Sequence, residues 1–268
     1  MILSYDDTEL GHADTGQRAP VVLVHGLGAT ANVWGAQIAA LAPHFRVLAP
    51  DLRGCGRSGR APVSLAALVA DLVELIDGGG FETVHLVGHS LGSVIVQHLA
   101  VAHPQMVESV SLVGPFQAPS EAGKQGLRAR AEHARNGALT AVADATVRAG
   151  TAPETRRERP ELGAFVRELV MRQDPESYAQ TCETLAALEP AEIETLRCPA
   201  LVVTGDQDAT APPAVAQAIA DKIHGATYAV LAQCGHWTPI EQAAALNDVL
   251  LEFLLSVNLS TREQQHAN

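Results

Sequence analysis

The chain is predicted to fold as an α/β protein with a mainly parallel central sheet flanked by helices, and three features of its 268 residues carry that prediction. Short apolar, β-branched runs of strand length alternate with stretches of helical periodicity. Several of these runs end in glycine or aspartate, where a strand feeds a turn. A block from about residue 116 to 189 interrupts the alternation with a helical composition of Ala, Arg, Glu and Leu.

In chain order, "PVVLVHG" (20–26) reads as a buried parallel strand and "ANVWGAQIAALAPHF" as a helix. "RVLAPD" (46–51) is the next strand. "SLAALVADLVELIDGGG" is an amphipathic helix with Ser64 as N-cap and glycines at its end. "TVHLVG" is a strand, "SVIVQHLAVAHP" a helix stopped before Pro104, and "VESVSLVGP" a strand. After the helical block come a strand "PALVVTGD" (199–206), a helix "PAVAQAIADKI", a strand "ATYAVLA" and a last helix "EQAAALNDVLLEFLL". "ILSYDD" and "ELGHADTG" suggest an added pair of antiparallel edge strands. "STREQQHAN" (260–268) is polar and aperiodic and reads as a frayed tail.

These elements divide the chain into a first core part (1–115), a helical cap or lid (116–189) and a second core part (190–268). Breakers at Gly137, Gly150, Pro153 and Pro160 segment the middle block. An insertion over the carboxyl edge of the sheet would cover the place where open α/β sheets bind ligands.

Composition narrows the partners. A net charge of −12 argues against nucleic acid, because no basic stripe is available for phosphates. Arg128, Arg130, Arg135, Arg156, Arg157, Arg159 and Arg172 cluster in the middle block but are mixed with glutamates. They read as a solvated helix face rather than an anion site. Cys55, Cys182, Cys198 and Cys234 form no CxxC pair and no metal-ligand spacing. With no signal-like N-terminus and no apolar run of membrane-spanning length, the expectation is a cytoplasmic protein with reduced thiols and no membrane partner.

The chemistry concentrates in "VHLVGHSLGS" (84–93). Ser90 stands at a strand-to-helix junction between Gly88 and Gly92, which permit a close approach of the two elements. The hydroxyl then points away from the sheet at a helix N-terminus, and the Leu91 amide is free to donate to a developing oxyanion. A serine needs a base to act as a nucleophile. His236, in the post-strand loop "LAQCGHWTPIEQ", is the one histidine that combines such a loop, a preceding glycine and a position after a candidate acid. "LVVTGDQDATAP" offers Asp206 and Asp208. Asp206 suits capping of the loop, and Asp208 reaches further toward a histidine. Asp51, in "DLRGCGRS", belongs to a turn held by its own side chains. "HGLG" (25–28) follows the early strand, where the Leu27 amide can supply a second oxyanion donor and His25 can hold the loop.

"HGLG", "DLRGCGRS", "GHSLG", "GDQDATAP" and "GHW" stand in the order and approximate spacing of the α/β-hydrolase fold superfamily, which the chain resembles from about residue 20 to 255. The resemblance implies catalytic Ser90, Asp208 and His236, with the Leu27 and Leu91 amides as oxyanion hole. A serine nucleophile sets the chain apart from the haloalkane dehalogenases and epoxide hydrolases of that fold, which use aspartate. "MRQDPESYAQTCETLAAL" and "LRCPALVVTGDQDATAPP" look like 3-oxoadipate enol-lactonases and related lactonases and esterases. "TVRAGTAP" in the middle block departs from the arginine-tryptophan-phenylalanine stretch usual there, and Cys55 replaces a histidine common in its turn.

The function expected from these observations is hydrolysis of a small carboxylic ester or lactone through an acyl-enzyme on Ser90. No metal and no organic cofactor is required, and Trp34 and Trp237 are expected to line an apolar acyl pocket, with a place in the core as the alternative for either. A carbon–carbon bond hydrolase, a cofactor-free perhydrolase or acyltransferase, and a hydrolase-derived ligand receptor are the alternatives. Monomer and homodimer are both compatible with the sequence.

Overall fold

The computed structural model describes residues 5–8 and 20–267. Seven strands form one sheet: β1 (Tyr5–Thr8), β2 (Pro20–Val24), β3 (Arg46–Pro50), β4 (Val84–His89), β5 (Val107–Val113), β6 (Ala200–Gly205) and β7 (Thr227–Leu231), in spatial order β1-β3-β2-β4-β5-β6-β7. β2 to β7 are mutually parallel, and β1 pairs antiparallel to β3, with Tyr5 opposite Pro50. β1 matches the expected edge strand in "ILSYDD"; the segment "ELGHADTG" lies outside the described residues.

The inner strands are apolar on both faces because both faces are covered. Val22, Val24 and Leu86 pack on one side with α2 (Leu65–Gly78), α3 (Leu91–Ala102) and α9 (Pro213–Lys222). Val21, Leu23 and Val87 pack on the other with α1 (Gly35–Leu41) and α11 (Ala243–Ala267). α2 shows how sequence sets an element: the Ser64 hydroxyl accepts from the Ala67 N–H at 3.2 Å, and Leu68, Leu72, Leu75 and Ile76 form its buried stripe.

Between β5 and β6 run α4 (Glu121–Arg135), α5 (Leu139–Gly150), α6 (Pro153–Glu158), α7 (Pro160–Met171) and α8 (Pro175–Ala186). Gly137 sits at φ +77 between α4 and α5. Proline opens α6, α7 and α8, where its missing N–H costs nothing. The short α10 (Thr238–Glu241) precedes α11.

Two expectations change. "ANVWGAQIAALAPHF" is a 3₁₀ turn (Ala31–Trp34) followed by α1, so only its middle is α-helical. The C-terminal stretch is helical backbone to Ala267 rather than a frayed tail, since residues 256–267 contain neither glycine nor proline to end the helix. Among the described residues, no helix is long and apolar enough to cross a membrane.

β4 and α3 meet more closely than any side chain would allow. A Cβ on Gly88 would lie 2.3 Å from the Gly92 carbonyl oxygen, and one on Gly92 would lie 2.0 Å from the Val24 carbonyl oxygen. Those neighbours are backbone and cannot rotate away. Gly88→Ala is therefore expected to lower the unfolding free energy by about 3 kcal/mol or more, in the range of overpacked cores. Gly78→Ala, in the last turn of α2 with nothing within 4 Å, should instead gain about 0.5–1 kcal/mol. Urea denaturation of the two variants beside wild type checks the contrast.

Candidate active site

The β4-to-α3 junction holds Ser90 at φ +55 and ψ −117, and Ser90 and Gln233 are the two non-glycine residues with positive φ among those described. Strain of this kind persists only where the surroundings over-determine the backbone. Here the Ser90 N–H donates to the Val113 carbonyl at 2.9 Å, and the Ser93 hydroxyl donates to the Ser90 carbonyl at 2.6 Å. Ser90 begins a helix without capping it with its side chain, so its hydroxyl is available elsewhere.

That hydroxyl meets His236. Ser90 Oγ and His236 Nε2 are 2.8 Å apart, and His236 Nδ1 lies 2.8 Å from Asp208 Oδ2. A carboxylate only accepts, so Nδ1 carries the proton and Nε2 is the bare nitrogen that accepts from Ser90. Asp208 Oδ1 accepts from the amides of Thr210 at 2.8 Å and Ala211 at 2.7 Å, which fix the carboxylate. Burial works to raise the Asp208 pKa, but the His236 charge and hydrogen bond, with those two amides, outweigh it and hold the carboxyl below its usual range. Asp206 serves the loop, as its position after the strand suggested. Its Oδ1 accepts from the Cys234 N–H at 3.0 Å and braces the chain ahead of His236.

The loop after β2 comes down beside Ser90. A Cβ on Gly26 would sit 3.0 Å from Ser90 Cβ, so Leu27 follows a point of near contact. His25 anchors this loop: its Nε2 accepts from the Leu52 N–H at 3.0 Å, leaving Nδ1–H to donate to the Gly26 carbonyl at 2.9 Å. Asp51 accepts from the Ala31 amide at 2.7 Å and from the Arg57 amide and guanidinium at 3.0 Å each. It therefore binds the first loop to its own turn and stays clear of His236. Leu91 opens α3, and its amide belongs to the first turn, where a helix offers no acceptor.

Ser90, Leu27, His236 and Trp237 border one cavity of about 600 Å³, together with residues of α4, α5 and α8. A groove of about 780 Å³ on the outer side of α2 and α3 contains none of these residues. Trp34, expected at the pocket with Trp237, is instead fully buried in the core and packs edge-on against His89 with ring centroids 6.4 Å apart. The 3₁₀ turn that carries Trp34 faces inward toward the sheet, which takes the indole away from the cavity. The arginines also divide. Arg135 pairs with Glu176 and Glu183 on the surface, as a solvated face would. Arg159 donates to the Glu241 carbonyl at 2.6 Å, and Arg130 lines the cavity.

Three residues of the site escaped sequence reasoning. His89, the neighbour of the serine in "GHSLG", donates from Nε2 to the His236 carbonyl at 2.7 Å while its ring lies 5.0 Å from the His236 ring. Burial, then the neighbouring His236, pushes its pKa down to about 3, so it stays neutral. Gly114, at φ +54, lies where a Cβ would come within 3.2 Å of the His236 ring and 3.3 Å of Asp208 Oδ2. Glu241 is fully buried: its carboxylate accepts from the Ala152 amide and Thr155 hydroxyl at 2.7 Å each and from the Trp237 amide at 3.1 Å. The His236 amide donates to the Gly150 carbonyl at 2.7 Å, completing a seam between the helical block and the histidine loop. The "GH" before Ser90 and the glycine ending "SLVG" were visible signals; Glu241 gave none, since the two partners that tie it to the helical block, Ala152 and Thr155, lie 89 and 86 residues away.

Comparison with known proteins agrees with this architecture. The family model for the alpha/beta hydrolase fold matches residues 19–243. The protein named "Putative carbamate hydrolase RutD" from Caulobacter sp. (strain K31) is 28% identical over 261 residues, covering 92% of this chain and 94% of that one. Among solved structures, the enol-lactonase from Burkholderia xenovorans LB400 is 31% identical with a TM-score of 0.87, covering 94% of this chain and 96% of that one. A thermophilic esterase from Thermogutta terrifontis, determined with malate bound, is 28% identical with a TM-score of 0.89, covering 95% and 93%. The chain belongs to the alpha/beta hydrolase fold family.

The buried neutral histidine has a measurable consequence. Its folded pKa lies near 3 against an ordinary 6.5, so between those values the unfolded chain binds a proton that the native state refuses. Stability therefore rises with pH across that window and is lost on acidification. In His89→Gln, urea denaturation at pH 4.5 and 7 should show a pH slope shallower by up to about 1.4 kcal/mol per unit. An unchanged slope would mean that His89 is protonated in the native state.

Proposed function

We propose that this member of the alpha/beta hydrolase fold family is a serine hydrolase of small carboxylic esters or lactones, acting through an acyl-enzyme on Ser90. The observation that carries the reading is the unbroken chain Ser90 Oγ, His236 Nε2, His236 Nδ1, Asp208 Oδ2, with both links at 2.8 Å, opening on a cavity of about 600 Å³.

In this reading, the Ser90 hydroxyl gives its proton to His236 Nε2 as Oγ attacks the acyl carbon. Asp208 holds the imidazole in the tautomer that can receive it and stabilises the imidazolium that results. The tetrahedral oxyanion sits against the Leu27 and Leu91 amides, each such donor contributing about 3–4 kcal/mol in the transition state. His236 then passes the proton to the leaving alcohol, which in a lactone stays tethered to the acyl group. Water, deprotonated by His236, attacks the acyl-enzyme, and its proton returns to Ser90 as the acid leaves. Trp237 forms part of the acyl wall, and residues 116–189 act as the lid over it. Cys55 is not a competing nucleophile, since burial pushes its thiol up to about 12. The unpaired cysteines suit a reducing compartment, and the cytoplasm is the proposed location.

The enol-lactonase and esterase relatives support an ester or lactone substrate, and the carbamate hydrolase relative adds carbamates to the chemistry worth assaying. The test is a hydrolysis panel of aryl esters, homoserine lactones, enol-lactones and carbamates, run on wild type and Ser90→Ala. Turnover of each active substrate should fall by about 10⁴-fold or more in the variant. Wild-type rates in Ser90→Ala would refute the mechanism. Asp208→Asn should lower kcat by about 10³- to 10⁴-fold, while Asp206→Asn, which only loosens the loop, should lose less than about tenfold. Since His89 stays neutral to about 3, the acid limb of kcat/KM should follow a single proton.

A further inference from the structure

The loop that carries His236 is held by a buried carboxylate that has no part in the mechanism above. Glu241 closes α10, and its side chain is fully buried. Its Oε1 accepts from the Trp237 amide at 3.1 Å, and its Oε2 accepts from the Ala152 amide and the Thr155 hydroxyl at 2.7 Å each. Among the described residues no cation pairs with this carboxylate; Arg159 donates instead to the Glu241 backbone carbonyl at 2.6 Å. Burying a carboxylate without a cation is costly unless hydrogen bonds replace its water, and here three donors do so.

The two oxygens face different parts of the chain. Trp237 is the neighbour of His236, whereas Ala152 and Thr155 belong to the start of α6 in the helical block. Beside this bridge the His236 amide donates to the Gly150 carbonyl at 2.7 Å. The seam is tight: a Cβ on Gly235 would lie 2.7 Å from the Ala152 nitrogen and the Gly150 oxygen, and 2.8 Å from Glu241 Oε1. The block and the histidine loop thus meet backbone to backbone, with Glu241 as the clamp. Glutamine, the nearest isostere, could not replace it. An amide accepts at one end only, so its NH₂ would face either the Trp237 amide or the Ala152 amide. One buried backbone donor would then lose its acceptor and meet a second donor.

We propose that Glu241 is a positioning residue for the catalytic base: by clamping Trp237 to the helical block, it holds the His236 ring within reach of both Ser90 and Asp208. The word base rests on the serine-hydrolase reading, but the clamp on the ring itself does not. None of the three hydrogen bonds of the Glu241 carboxylate goes to Ser90 or to the His236 ring, so it acts through the backbone. The two links of 2.8 Å need the ring in one place. A displacement of about 1 Å at a reacting group can cost about a hundredfold in rate.

The test compares Glu241→Gln with wild type, each well below its unfolding transition. A fluorophosphonate reads the reactivity of Ser90, and 4-nitrophenyl acetate separates kcat from KM. In Glu241→Gln the second-order rate of phosphonylation and kcat should each fall about ten- to hundredfold, with KM within about threefold of wild type. The low-field proton resonance of His236 Nδ1–H, identified by its loss in Asp208→Asn, should broaden through faster exchange with water. A residue that only supports the fold moves neither the rate nor the resonance of the folded protein. Wild-type phosphonylation and an unchanged resonance would therefore overturn the proposal, as would a raised KM with kcat unchanged. If Glu241→Gln fails to fold, Thr155→Val carries the test, since it removes one donor and keeps the shape. Its phosphonylation should slow by about threefold or more, and a wild-type rate would overturn the clamp. If wild type itself resists phosphonylation, the hydrolase reading fails and the resonance decides: broadening upholds the clamp, and no change overturns it.

Discussion

The close approach of β4 to α3 is the constraint on which the rest of the site depends. Gly88 and Gly92 bring backbone against backbone with no volume for a side chain, so the chain between them turns within very few residues. Ser90 absorbs that turn at φ +55, an arrangement costing roughly 1–3 kcal/mol in a residue that is not glycine. The cost is offset by the packed strands and helix on either side. Its structural product is a hydroxyl lifted from the sheet, beside the free amides of a helix N-terminus. Charge and tautomer follow from who can donate to whom: Asp208 can only accept, so His236 must present its bare nitrogen to Ser90.

The histidine is held from three sides. Asp208 fixes the ring, the His89 ring donates to its carbonyl, and the Gly150 carbonyl accepts its amide. The third contact comes from the helical block, which Glu241 ties to the same loop through Ala152, Thr155 and Trp237. The elements that wall the cavity are thereby joined to the residue facing Ser90. Gly150 thus touches His236 directly through a backbone hydrogen bond, and Ala152 is tied to the next residue, Trp237, through the Glu241 carboxylate.

Much of this was legible in the sequence, and what was not has identifiable causes. Buried parallel strands announce themselves as short β-branched runs, so "PVVLV" and "ALVVTG" located β2 and β6 to within a residue or two. The spacing of "GHSLG", "GDQD" and "GHW" singled out residues that the fold brings within hydrogen-bond reach of one another. Trp34 was misplaced because a large apolar residue after a site loop looks alike whether it faces the core or a pocket. Arg130 was read with its neighbours because charge mixing along a helix does not tell which residue points inward. Glu241 gave no sign of its link to the helical block, since Thr155 and Ala152 lie 86 and 89 residues away.

Ser90 as a nucleophile made reactive by its turn and by His236 is open to a direct test. Covalent labelling with a fluorophosphonate, followed by mass spectrometry of the digested protein, tests this most directly, because it needs no knowledge of the substrate. One phosphonyl group per chain is expected, located on the peptide that contains Ser90 and lost in His236→Ala. Labelling at another residue, or a Ser90 that stays unmodified while ester hydrolysis proceeds, would contradict it.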